Sequence, residues 1–257
     1  MEMKKLVAAL DAEMGIDGAD RFHDDSNNGL QVANGSGRVT KVALGVDATL
    51  PFFERAVEAG ADLAIVHHGM SWGSSLKRIT NLNYRMVSYL MRNDLALWAC
   101  HLPLDAHPKL GNNAQIAQAL GLRQQKPFGE YHGVAIGVRG SFAKPLTRAA
   151  FFERVRRVTG NSAAMKTLDF GRATVRTVGV ISGGAPSQVA DAIEAGLDAY
   201  ITGESNLSAY NRALQEGINV AFAGHYSTET FGVKAMGALI QKQFKLPVEF
   251  VDLDIPY

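Results

Sequence analysis

Sulfur chemistry is almost absent from this chain: Cys100 is the single cysteine among 257 residues. One thiol excludes an internal disulfide, fits a reducing compartment, and argues against a structural zinc knot built on thiolates. Cys100 closes the apolar run that starts at Leu95, where it reads as a small buried hydrophobe rather than a nucleophile. Long apolar runs are missing too. None approaches the roughly 20 residues of a membrane span, and the opening Met1-Glu2-Met3-Lys4-Lys5 leads into an amphipathic stretch without a signal-peptide core. Charge of one sign is also lacking. The 26 basic and 25 acidic residues nearly cancel, so net charge offers no pull toward nucleic acid or anionic lipid. Basic clusters such as Arg154, Arg156 and Arg157 read as a solvated helix face. The expectation is a soluble cytoplasmic protein without membrane or nucleic-acid partners.

What is present is alternation. Residues 3–14 have helical spacing, with Leu6, Ala9 and Leu10 on one face. A polar, turn-rich stretch from His23 to Asn34 follows. Val39 to Val46 reads as a strand, and residues 51–60 as a helix opened by Pro51 and closed by Gly60. Leu63 to Val66 is too short and apolar for a helix and reads as a buried strand ending on His67-His68-Gly69. A helix over 82–93 and a strand over 95–100 complete the unit. Strands alternating with helices predict an α/β fold with mainly parallel sheets flanked by helices.

The unit recurs. Glu58-Ala59-Gly60-Ala61-Asp62-Leu63-Ala64-Ile65 matches Glu194-Ala195-Gly196-Leu197-Asp198-Ala199-Tyr200-Ile201 at an offset of 136. Each copy follows a strand and a helix and precedes a helix and a second short strand. Those second strands run into His101-Leu102-Pro103-Leu104-Asp105 and His225-Tyr226-Ser227-Thr228-Glu229, so both end in a histidine four residues before an acid. Two matches in the same order imply two interlinked α/β domains from an internal duplication.

In parallel sheets, functional groups gather at the carboxyl ends of strands. Four of the seven histidines, His67, His68, His101 and His225, fall at such ends. Imidazole with carboxylate suits zinc, iron or manganese. Each residue alone has a plainer reading: a hydrogen-bonded structural His, an Asp105 turn cap, a Glu229 paired with Lys234. Taken together, duplicated strand ends bearing His plus acid point to a metal site. His225 and Glu229 would share a helix face. Pro103 disfavours a helical Leu102, so an extended or turned segment is expected there. Asp105 would then reach a metal while His101 hangs back as an acid–base group. Glu204 stands in the second copy where the first has His68, either as a helix-start carboxylate or as a contact to the site. His23 reads as solvent-facing, His107 as a buttress for Asp105, and His132 as structural. Ser182-Gly183-Gly184 resembles a phosphate cradle but lacks the P-loop pattern.

Val66-His67-His68-Gly69, His101 to His107 and Gly224 to Glu229 resemble the signature segments of the Nif-three-like family, which includes the YbgI group, often called GTP cyclohydrolase I type 2. Asn28-Gly29-Leu30-Gln31-Val32, Asn112-Asn113 and Thr202-Gly203-Glu204 extend the resemblance over nearly the whole chain. The resemblance implies two divalent metal ions per chain (zinc, iron or manganese). His68 and Asp105 would bind one, His67 and His225 the other, and Glu229 would bridge them. It also implies self-association as a toroidal homohexamer. Because His225 must reach His67, residues 1–125 plus 220–257 are expected to form the metal-binding domain and 126–219 the second. The implied activity is hydrolysis of a nucleotide-like or purine small molecule, with His101 as proton shuttle. The alternative is a non-catalytic metal-binding, metal-delivery or regulatory scaffold protein.

Overall fold

The structure, a computed structural model, describes residues 1–160 and 164–257. In chain order the elements are α1 (Met3–Met14), β1 (Gly29–Val32), β2 (Val42–Asp47), α2 (Leu50–Glu58), β3 (Leu63–His68), α3 (Asn81–Arg92), β4 (Ala96–Ala99), α4 (Leu102–Asp105), α5 (Asn112–Leu120) and β5 (Arg123–Tyr131). They continue with β6 (Val134–Thr147), α6 (Arg148–Thr159), β7 (Lys166–Asp169), β8 (Thr174–Val180), α7 (Val189–Glu194), β9 (Ala199–Thr202), α8 (Leu207–Glu216), β10 (Asn219–Phe222), α9 (His225–Phe244) and β11 (Val248–Phe250). Most expected boundaries hold to within a few residues. Pro103 differs: it lies inside the single turn α4 instead of breaking it. A proline in a first helical turn gives up no intrahelical bond.

The chain divides into two compact units, Met1–Leu104 with Gly232–Asp254, and Asp105–Phe231 with Ile255–Tyr257. The sequence placed the divisions near 125 and 220. Helix α5 belongs with the second unit because Ile116, Ala117 and Leu120 bury against Phe151, Val155 and Val178. Strand β10 belongs there because it pairs with β9 and β7.

In the first unit the sheet order is β1-β4-β3-β2-β11, with every pairing parallel except β1 with β4. Strands β3 and β4 are buried nearly end to end, as expected for parallel strands covered on both faces. Phe52, Phe53 and Ala56 of α2, and Met86 and Leu90 of α3, pack on Val66 and Leu97. In the second unit the order is β5-β6-β8-β9-β10-β7. Only β8, β9 and β10 are mutually parallel. The long β5–β6 hairpin makes antiparallel pairings the majority in this sheet, so it is mixed rather than mainly parallel. His132 sits in that hairpin's turn with a positive φ of 49°.

The duplication extends to atomic detail. Both units run helix, edge strand, then three parallel strands with helices between, and both edge strands pair antiparallel with the third parallel strand. In the first unit the Asp62 carboxylate accepts from Thr40 N, Lys41 N and Thr40 Oγ1. In the second, Asp198 accepts from Arg176 N and Thr177 N at the same offset of 136, and from the Thr177 hydroxyl, one position further along. Each carboxylate staples the start of one parallel strand to the start of the next. Asp62→Ala and Asp198→Ala are each expected to cost about 1–3 kcal/mol, the usual worth of hydrogen bonds to a charged group. Urea unfolding checks this, and a cost at one position alone would count against equivalent roles.

Candidate metal centre

In the first unit, strand register sets the site. Asp47 ends β2 opposite His68 at the end of β3, and their side chains meet, Oδ1 to Nδ1, at 2.8 Å. Val66 pairs with Ala99, which carries Cys100 past the end of β4. The Cys100 carbonyl accepts from His67 Nδ1 at 2.8 Å. Strand β1 runs antiparallel to β4 with Gly29 opposite Ala99, so the turn before β1 lies beside His101. There Asp24 Oδ1 holds His101 Nδ1 at 2.9 Å, and Asn28 Oδ1 accepts from His101 N at 2.7 Å. Burial works against the Asp24 charge. Hydrogen bonds from His101, Ser26 N and Asn28, together with the His101 charge, outweigh it and hold the carboxyl below its ordinary range.

All three histidines thus have Nδ1 on an acceptor. That fixes the ring orientation and makes Nε2 the nitrogen each ring would offer a metal. His67 is fully buried, and the His68 and His101 side chains are 18% and 21% exposed. Within the first unit, donor atoms of His67, His68 and His101 lie within 4.8 Å of one another.

In the second unit, β8, β9 and β10 end on Ser182-Gly183-Gly184, Gly203-Glu204 and Gly224-His225. Glu204 Oε1 meets His225 Nδ1 at 2.5 Å, and Glu229 Oε2 lies 3.1 Å from His225 Nε2, one turn along α9. Burial opposes a charged His225, but the Glu229 and Glu204 carboxylates override it and raise its pKa to about 9. The Ser182-Gly183-Gly184 turn is no phosphate cradle here. A side-chain carbon on Gly183, whose φ is +64°, would stand 2.2 Å from Glu229 Oε1, and one on Gly184 would touch Glu204. The turn closes on carboxylates, which repel an anion. Asp105 is buried, and its Oδ1 accepts from Asn112 Nδ2 at 2.8 Å and Ser182 Oγ at 3.0 Å. Asn113 ties Ile136 O to Ser182 N. A cavity of about 270 Å³ opens beside Glu204, lined by Lys166, Ser205, Phe222 and Tyr257.

A pH dependence follows for the metal-free protein. The folded-state pKa of His225 is raised above its unfolded value, so its contribution to stability is fully present below about 6.5. It is lost as pH rises toward about 9. Thermal melts of chelator-treated protein should fall over that window, and the His225→Gln variant should lose that component. A metal must displace the same proton, so metal affinity should rise over the window.

Three orienting groups carried no motif, Asp24, Asp47 and the Cys100 carbonyl, and Ser182 entered only as part of a phosphate-like turn. Asn112 and Asn113 entered only through the family resemblance. His23 is exposed, as expected. His107 Nδ1 accepts from Lys109 N and Leu110 N, which makes it a turn cap.

Residues 1–255 match the Duf34/NIF3 (NGG1p interacting factor 3) family. A relative from Archaeoglobus fulgidus named GTP cyclohydrolase 1 type 2 homolog is 41% identical over 256 residues, covering 100% of this chain and 99% of the relative. One of the same name from Deinococcus radiodurans is 41% identical over 231 residues, covering 90% of this chain and 86% of the relative. A solved structure described as protein ybgI, of unknown function, superposes with a TM-score of 0.90 at 31% identity, covering 100% of both chains.

Proposed function

Because the chain belongs to the Duf34/NIF3 family, we propose that it is a dinuclear divalent-metal protein and a metal-dependent hydrolase of a nucleotide-like or purine substrate. His68 and Asp105 would hold one ion, His67 and His225 the other, and Glu229 would bridge them. The observation that supports this most is the anchoring of Nδ1. Four imidazoles each have Nδ1 on a carboxylate or carbonyl, the arrangement that readies Nε2 for a metal. Two buried carboxylates, Asp105 and Glu229, complete a donor set of nitrogen and oxygen suited to zinc, iron or manganese.

Two ions bound there would supply Lewis acidity and water activation near neutral pH. The protein's own part is proton management and orientation. His101, whose ring Asp24 orients through Nδ1, would accept a proton and return it to a leaving group. Glu204 fixes the His225 ring. The relatives' name supports a purine nucleotide as substrate, and the cavity beside Glu204 supports a small molecule. Metal analysis of protein purified without added metal, followed by a hydrolase screen with the matching ion, tests the reading. Two ions per chain and a turned-over nucleotide are expected. Two ions with no rate on any substrate would favour the delivery or scaffold role.

The same membership supports a homohexamer. Leu207, Tyr210 and Leu214 of α8 are 74%, 42% and 50% exposed on one stripe, more apolar surface than a solvated helix needs. Light scattering should give six chains, and a monomer at micromolar concentration would reject the ring. No described helix is long and apolar enough to cross a membrane.

A further inference from the structure

Three imidazoles converge within the first unit alone. Ring centres lie 4.7 Å apart for His67 and His68, 5.0 Å for His67 and His101, and 5.4 Å for His68 and His101. A single ion on three imidazoles dictates such spacings. With metal–nitrogen bonds of about 2.0–2.1 Å, ring centres fall about 5.2 Å apart at tetrahedral angles and about 4.5 Å apart at right angles. The observed values straddle these. The rings are also tilted at 44°, 51° and 57° to one another, so no two of them stack face to face.

The trio is held from outside by three separate segments. Asp47 at the end of β2, the Cys100 carbonyl after β4 and Asp24 before β1 each fix one Nδ1. Trp72 adds a wall, edge-on to His101 at 4.9 Å and 6.0 Å from His68. Its Nε1 donates to Gly69 O at 2.7 Å. Gln31 pins the same loop, with Oε1 accepting from Met70 N and Ser71 N. Gly69 has no room for a side chain, since its added carbon would lie 2.3 Å from Gln31. The partial exposure of His68 and His101 leaves an ion a way in.

We infer that the first unit by itself captures one divalent transition-metal ion on His67, His68 and His101, without any donor from the second unit. Three neutral imidazoles select zinc, cobalt or nickel over magnesium or calcium, which prefer oxygen. This goes beyond the dinuclear reading, because Asp105, His225 and Glu229 play no part in it. His101 gains a second duty: it is a ligand for the first ion to arrive, and a proton-transfer group once the remaining donors are engaged.

The test uses the full chain carrying Asp105→Ala, His225→Ala and Glu229→Ala together, stripped with chelator and titrated with Co²⁺. One cobalt per chain is expected, with the visible absorption of nitrogen-ligated cobalt, and excess Mg²⁺ should not displace it. Adding His101→Ala should weaken that binding by at least about tenfold, since loss of even an outer partner of a ligand typically costs 10–100-fold. A triple variant with native circular dichroism and no cobalt would overturn the inference, as would binding indifferent to His101→Ala. If the triple variant does not fold, the first cobalt equivalent on the otherwise unaltered chain decides. It should bind more weakly in His101→Ala alone, and equal affinity refutes the capture site. The dinuclear reading fails separately: an unaltered chain that holds one ion sinks that reading and leaves this one standing.

Discussion

Replacing Glu229 with alanine is expected to take the metal content from two ions per chain to one loosely held ion or none after extensive dialysis. Glu229 is 3% exposed and lies one helical turn beyond His225, 3.1 Å from its Nε2. The missing side chain of Gly183 leaves the space its carboxylate fills. As the proposed bridge it contributes charge to both ions, so its loss weakens both at once. Among the described residues, the donor set then intact within one unit is the imidazole trio, and its ion is the one able to linger. Glu229→Gln keeps the volume and removes the charge. It should behave like the alanine variant, which separates loss of a ligand from loss of packing. Glu204→Gln provides the contrast. Glu204 orients His225 through Nδ1, so its loss should weaken metal binding by about 10–100-fold rather than abolish it. Elemental analysis with circular dichroism reads all three, and a folded Glu229→Ala that keeps two tightly held ions would refute the bridge.

The architecture was legible in the sequence where local chemistry and pattern agreed. Thr49 caps α2 by accepting from Phe52 N, Pro51 sits in its first turn, and Gly60 follows it at φ 73°. Short apolar runs such as Leu63 to Val66 could only be buried strands, and they are. The repeat between Glu58–Ile65 and Glu194–Ile201 was visible because Asp62 and Asp198 do the same work in both copies. What the pattern could not give was pairing at a distance. The edge hairpin β5–β6 carries no α/β signature, so the second sheet came out more antiparallel than expected. The α4 turn departs from the expected extended path because the proline's restriction on the residue before it is a steric preference and not a prohibition, and Leu102 is only the first residue of a single turn.

The candidate ligands were picked by type and place, as histidines recurring at the carboxyl ends of buried strands, and the structure brings donor atoms of His67, His68 and His101 within 4.8 Å of one another. Their supports were not legible in this way. Asp24 lies 77 positions from His101, and Ser182 lies 77 from Asp105. Nothing in local periodicity links them, since strand register brings them together. Around Gly183 the sequence shows only a partial likeness to a phosphate turn, and nothing in it announces the Glu229 carboxylate that fills the concavity.

That register bears most directly on His101. His101→Ala in the otherwise intact chain is expected to keep most of the metal at saturation while lowering the hydrolytic rate found in the screen by about 10²–10⁴, the usual worth of a positioned acid–base group. Saturation matters, because the capture role predicts weaker binding of the first ion, whereas the full donor set compensates once both ions are present. Asp24 supplies the control. It touches His101 through Nδ1 at 2.9 Å, and its carboxyl is held below the ordinary range. Asp24→Asn keeps the shape but removes the charged partner that orients the His101 ring. Its rate should fall less than that of His101→Ala, because the ring stays in place. A structural role for His101 would leave the rate at saturating metal unmoved. Asp105→Ala should differ from both by losing one ion and nearly all activity, since Asp105 is a proposed ligand whose Oδ1 is held by Asn112 and Ser182. If His101→Ala strips metal at saturation as fully as His68→Ala does, His101 is a permanent ligand and cannot shuttle protons. If it changes neither metal content nor rate, proton transfer belongs to another group, and the hydrolase reading loses its acid–base partner.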